Sequence, residues 1–135
     1  MKKVYLFIVC MLMACDNENY DFPQVDVSLF LYMNNPEFFD VGVPTGWMYL
    51  NGGVGGILLY RKNLEEFIAY DRASTFNPTS KCQVTVDEND NTTINDPCSE
   101  SQFSITDGSV IQGPANQPLK RYNTAYNGNN LSIFN

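Results

Sequence analysis

Asp96-Pro97-Cys98-Ser99-Glu100-Ser101-Gln102-Phe103 is followed by Asp107-Gly108, then Gly113-Pro114-Ala115, then Pro118-Leu119 and Tyr122. A small polar turn around one cysteine opens into a short run, Gln102 to Ile105, and Asp107-Gly108 then breaks that run. The same pattern extends along the chain in both directions. Short apolar or aromatic runs alternate with turn residues, and no long stretch keeps a helical period, so the sequence predicts an all-β domain. Expected strands are Gln24 to Tyr32, Trp47 to Leu50, Ile57 to Tyr60, Glu66 to Asp71, Gln83 to Val86, Thr92 to Ile94, Gln102 to Ile105, Leu119 to Tyr126 and Leu131 to Phe134. Turns fall at Asn51-Gly52-Gly53, at the acidic stretch Asp87 to Asn91, at Asp107-Gly108 and at Asn127-Gly128, where residues accept positive φ or cap their own backbone. The one short helix expected is Asn35 to Val41, with Pro36 suited to its first position and Phe38 and Phe39 available to the core.

Alternation marks the inward faces. Val25, Val27, Leu29 and Leu31 recur at every second position, as do Phe67 and Ala69, so these rows should face the core. Trp47, the one tryptophan, is expected as a core filler near a strand start. Gly52-Gly53-Val54-Gly55-Gly56 has the look of a phosphate-cradling loop, but that chemistry needs a helix N-terminus after it, and here the strand Ile57-Leu58-Leu59-Tyr60 follows. A turn, bulge or close backbone approach is the better account. Asp87, Glu88 and Asp90 lack the spacing and the terminal glutamate of a calcium loop and are expected at a solvated hairpin tip. Asn91-Thr92-Thr93 fits a glycosylation acceptor, a modification not expected after the leader Met1 to Ala14.

That leader is residues 1 to 14. Lys2 and Lys3, the apolar run Val4 to Met13 and the sequence Leu12-Met13-Ala14-Cys15 form a lipoprotein signal in which the cysteine becomes lipidated; the run is too short to span a bilayer. Cys15 should therefore carry a diacylglyceryl anchor. Residues 15 to 23, rich in Asp and Asn, should form a flexible tether, and 24 to 135 the domain. The mature chain has 121 residues, enough for one core and not for two. It holds six basic against 15 acidic residues, a formal charge of −9, so nucleic acid is not an expected partner. The chain has no histidine, which rules out imidazole as base, proton shuttle or metal ligand. Of four cysteines, Cys10 leaves with the signal and Cys15 is lipidated. Cys82 and Cys98 remain and, outside the cytoplasm, should form a disulfide. There is no Cys-x-x-Cys, and the bond is expected to be structural, contributing roughly 3 kcal/mol through loop closure.

The run from Asp96 to Tyr122 resembles the second cluster loop and closing strands of Rieske iron–sulfur domains. Those read Cys-Pro-Cys-His-Gly-Ser-x-Phe, then Asp-Gly, Gly-Pro-Ala, and Pro-Leu with a tyrosine. Upstream, Phe67 to Ala73 resembles the strand leading into their first cluster loop, and the likeness extends from about Gly55 to Phe134. It implies a small antiparallel β-sandwich or barrel of the Rieske type, in a lipoprotein version of a kind seen in Bacteroidetes. A Rieske centre takes two thiolates on one iron and two imidazoles on the other. The ligand positions fall here on Ser74 and Phe76 in the first loop and on Asp96 and Ser99 in the second. By the resemblance, Cys98 and Cys82 match the two cysteines that tie the loops together without binding iron. The family's glycine is replaced by Glu100, which should reshape that turn.

The functional expectation is a cluster-free, non-enzymatic lipoprotein of the cell envelope, anchored in the outer membrane on its periplasmic or outer face. It would take no cofactor or metal. Its loops Ala73 to Cys82 and Asn95 to Gln102 would serve as a contact surface for an envelope protein. The alternative is an electron-transfer or redox-sensing component acting through the Cys82–Cys98 bond. A hydrolase using Ser74 or Ser99 lacks a base to activate the hydroxyl.

Overall fold

A computed structural model describes residues 20–135. The signal, Cys15 and most of the tether lie outside the described residues. Ten strands make up the domain: β1 (Ser28–Tyr32), β2 (Trp47–Leu50), β3 (Ile57–Arg61), β4 (Phe67–Asp71), β5 (Thr85–Val86), β6 (Thr93–Asn95), β7 (Gln102–Ser104), β8 (Val110–Gln112), β9 (Arg121–Tyr126) and β10 (Asn130–Phe134). The fold is all-β, as expected, and every strand pairing is antiparallel.

Six strands run in the order β1-β10-β9-β4-β3-β2, and the other four in the order β5-β6-β7-β8. The larger sheet curls at β9, which pairs with β4 through Arg121 and Tyr122 and with β10 from Asn123 to Tyr126. The curl brings β1 and β10 over one face of β3 and β4, while the smaller sheet covers the other face. On the first side Ile57, Leu59, Phe67 and Ala69 pack with Val27, Leu131 and Ile133. On the second, Leu58, Tyr60, Ile68 and Tyr70 pack with Val84, Val86, Ile94, Phe103 and Ile105. A strand facing apolar layers on both sides loses its alternation, and every residue of β3 and β4 is buried. Phe67 and Ala69 face inward as expected, but so do Ile68 and Tyr70.

Other expectations need smaller corrections. The first strand begins at Ser28 rather than Gln24, and Val25 is exposed. The helix is a 3₁₀ segment, Pro36–Val41, that buries Phe38 and Val41 and leaves Phe39 83% exposed, because at three residues per turn positions 38 and 41 share the inward side and 39 does not. Strand β8 was not expected from the sequence; its Ile111 and Gln112 are exposed, so no apolar alternation marks it. Trp47 is half-buried against the second core layer and donates its indole N–H to Asn91 Oδ1 at 3.0 Å. Among the described residues no helix is long and apolar enough to cross a membrane.

Candidate functional site

Strand β4 ends in Asp71, a fully buried aspartate that positions everything after it. Its carboxylate accepts the backbone N–H of Val54 at 2.6 Å, Gly55 at 2.9 Å and Ala73 at 2.7 Å, and the Tyr122 hydroxyl at 2.7 Å. The glycine loop is thus a cradle for an internal anion. Gly53 is needed there, since φ is +63° and a Cβ would collide with the Asp71 carboxylate. Burial, and then the bond to Asp71, push the Tyr122 phenol well above its ordinary range. The expected close backbone approach is present; what the sequence reading missed is the carboxylate it surrounds.

Three segments converge beyond this anchor. The first, from Ala73, is closed by an Ala73–Gln83 bridge and by the Ser74 N–H to the Cys82 carbonyl, 3.0 Å. Asn77 and Lys81 take left-handed conformations on either side of a 3₁₀ turn, Pro78–Ser80. The second leaves β6 at Asn95 and turns tightly, with Asp96 N–H on the Ser101 carbonyl at 2.8 Å and Glu100 N–H on the Asp96 carbonyl at 2.9 Å. Glu100 closes that turn at φ +64°, the left-handed conformation that a glycine adopts without steric cost. The third carries Gly113-Pro114-Ala115, with a cis Gly113–Pro114 bond, and its Ala115 N–H donates to Ser101 Oγ at 2.9 Å.

Where the segments meet, Asp96 sits 1% exposed at the centre of a hydroxyl network. Ser74 Oγ and Ser99 Oγ each donate to Asp96 Oδ2 at 2.5 Å, and Cys98 N–H donates to Oδ1 at 2.9 Å. Ser99 Oγ lies 2.8 Å from Ser101 Oγ in a further bond. Ser74 and Ser101 are completely buried. Of the four residues singled out from the sequence, the structure therefore joins Ser74, Asp96 and Ser99 in one bonded group. Phe76 stays outside it. Its ring packs beside the second core layer and meets the edge of Tyr20 with centroids 5.7 Å apart. Ser101 completes the network; the Asp-Pro opening of the second loop, a typical side-chain-to-backbone turn, was the available signal that Asp96 would bind locally.

The Cys82–Cys98 disulfide closes the same region, with Cα atoms 6.4 Å apart. Cys98 is exposed and Cys82 half-buried. The two loops are thus fastened twice, by the covalent bond and by the hydroxyl–carboxylate group beneath it. Their outer surface is formed by Thr79, Ser80, Lys81, Pro97, Cys98 and Glu100, all exposed.

No protein-family model matches the chain, and no curated protein matches it. Solved structures do. The plasma-membrane Rieske protein PetC3 of Synechocystis PCC 6803 superposes with a TM-score of 0.55 at 25% identity, over 82% of this chain and 98% of that one. The ferredoxin of carbazole 1,9a-dioxygenase from Nocardioides aromaticivorans IC177 aligns at a TM-score of 0.48 and 12% identity, over 82% of this chain and 97% of that one. The putative NADH-dependent nitrite reductase small subunit of Mycobacterium tuberculosis aligns at 0.48 and 14%, over 83% and 97%. The superposition on PetC3 makes the architecture Rieske-like, as the run from Asp96 to Tyr122 implies.

A [2Fe–2S] Rieske centre does not fit the residues at the four positions that the sequence resemblance assigns to its ligands. Two hydroxyls, a carboxylate and a phenyl ring supply neither thiolate nor imidazole. Ser74 and Asp96 also bond directly to one another between the loops at 2.5 Å, and Ser99 bonds to the same Asp96 oxygen from within the second loop.

Proposed function

We propose that this is a lipid-anchored envelope protein with a non-enzymatic binding or structural role, in which the loops of a Rieske-like fold hold no cluster and present a contact surface. The observation that carries the reading is the Ser74–Asp96–Ser99 group. A loop pair that had only lost its ligands would leave a polar void, whereas here buried hydroxyls and a carboxylate satisfy one another and keep the loops in place. Exposed polar residues on both loops then form a fixed platform, suited to a protein partner in the envelope.

Two measurements test it. Protein purified from its native cells should show neither stoichiometric iron nor an iron–sulfur absorption spectrum; finding both refutes the reading. Metabolic labelling with a fatty acid should tag the wild type and not Cys15→Ala, and an unlabelled wild type removes the anchor. A second reading, redox sensing through the disulfide, is favoured by the exposure of Cys98, which leaves one sulfur open to attack. A reduction potential well below about −300 mV would mark a structural bond and exclude it.

A further inference from the structure

Cys82 Sγ, Cys98 Sγ and a carboxylate oxygen of Asp96 all lie within 4.8 Å of one another. In the oxidised chain the two sulfurs are spent on each other. We propose that reduction of this bond by a dithiol opens a site for one thiophilic divalent cation of the zinc class, held by the Cys82 and Cys98 thiolates and Asp96. The inference goes beyond the contact-surface reading and does not depend on the lipid anchor.

The chemistry balances with the reductant as the only co-reactant. A dithiol's thiolate attacks the exposed Cys98 sulfur, forming a mixed disulfide and releasing Cys82 as a thiolate. The reductant's second thiol then displaces Cys98, so two electrons and two protons pass to the protein and the reductant leaves as its own disulfide. Binding of the cation releases the two cysteine protons, because the thiolate is the ligand.

The geometry requires little rearrangement. Two metal–sulfur bonds of about 2.3 Å at a tetrahedral angle place the sulfurs roughly 3.7 Å apart, and both sulfurs and the Asp96 oxygen already lie within 4.8 Å of one another. Each ligand's backbone is held independently of the disulfide. Cys82 is fixed by the Ser74 N–H and the adjacent Ala73–Gln83 bridge, Asp96 by Ser101, and Cys98 by its own N–H on the Asp96 carboxylate. Asp96 accepts four hydrogen bonds, from the Ser74 and Ser99 hydroxyls on Oδ2 and from the Cys98 and Ser99 N–H groups on Oδ1, so its lone-pair directions are filled and the cation takes the place of the Ser99 hydroxyl, which retains Ser101 Oγ. Ser74 would then bond to a metal-bound carboxylate and orient it. Two sulfurs and one carboxylate suit a soft, tetrahedral ion with one position left for water.

The test uses the full chain with Cys10→Ser and Cys15→Ser, so that Cys82 and Cys98 are its only thiols, reduced with a phosphine and titrated with Cd²⁺ alone. The expected result is a thiolate-to-cadmium charge-transfer band saturating at one ion per chain and reversed by excess Zn²⁺, with no band in the oxidised protein. Cys98→Ser should abolish stoichiometric binding. Asp96→Asn, if its circular dichroism matches the parent chain, should weaken binding by about tenfold or more. If that variant does not fold, Cys98→Ser and the oxidised control carry the test. The proposal is overturned if the reduced parent chain takes up no cadmium, if one ion binds between two chains, if the oxidised protein or Cys98→Ser binds as tightly, or if a folded Asp96→Asn binds unchanged.

Discussion

Replacing Asp96 by Ala removes the acceptor shared by Ser74 Oγ, Ser99 Oγ and Cys98 N–H. Ser99 has Ser101 Oγ within 2.8 Å as a second partner, and Cys98 is exposed, so its N–H is near solvent. The largest penalty therefore falls on Ser74, which is completely buried. Orphaning a buried donor costs about 1–3 kcal/mol, and bonds to a charged acceptor are worth roughly 1.5–3 kcal/mol each, partly offset by no longer burying the carboxyl group. The expected net loss is about 2–3 kcal/mol. For a domain of this size that lowers Tm by roughly 10 °C.

A double-mutant cycle isolates the bond. Ser74→Ala alone should cost about 1 kcal/mol, because Asp96 keeps its other donors. Ser74→Ala with Asp96→Ala should cost less than the sum of the two, by about 1–2 kcal/mol, since no donor is then stranded. Urea denaturation of all four proteins, each checked for an intact disulfide by thiol counting, reads these quantities. A cost for Asp96→Ala within about 0.5 kcal/mol of zero, or additivity within about 0.3 kcal/mol, would refute the claim that this network fastens the loops.

Other expectations concern the surroundings. Removing both Cys82 and Cys98 as alanines should cost roughly 3 kcal/mol, because the bond closes a loop with a sequence separation of 16; an unchanged urea midpoint contradicts it. Gly108→Ala should cost about 2–4 kcal/mol in the same assay, since φ is +76° and a Cβ would lie 2.7 Å from Tyr70 Cε1. Gly128→Ala has a φ of +96° but nothing within 4 Å, so it should lose only about 1–2 kcal/mol, and equal losses at the two sites would rule out the steric account. At the hairpin tip, the backbone N–H of Thr92, the hydroxyl of Thr93 and its N–H hold the Asp90 carboxyl down at about 2. A depressed acid stabilises the fold above its unfolded pKa, near 4, and that contribution disappears as pH falls through about 2. A carboxyl carbon titration by NMR should find that midpoint, and one near 4 contradicts it.

Much of the fold follows from local chemistry. The alternation of Val27, Leu29 and Leu31 and the turn at Asp107-Gly108 are properties of a few adjacent residues, and strand and turn propensities act at that range. The order of motifs from Asp96 to Tyr122 added the kind of sheet arrangement. Composition alone removed imidazole chemistry, since no packing can supply a histidine the chain does not contain. Strand β8 and the burial of β4 on both faces were illegible, because they depend on which distant layers cover a strand. The site followed the same division. Ser74 and Asp96 stand 22 residues apart, and only the convergence of their loops turns a hydroxyl and a carboxylate into a buried pair. Asp71 and the glycine loop are likewise separated by 16 residues until the curled sheet joins them. The sequence by itself determined the residue types at the loop tips and which chemistry they lack. Tertiary structure decided that three of them satisfy one another, because hydrogen-bond partners of buried groups are set by proximity in space, which spacing along the chain does not encode.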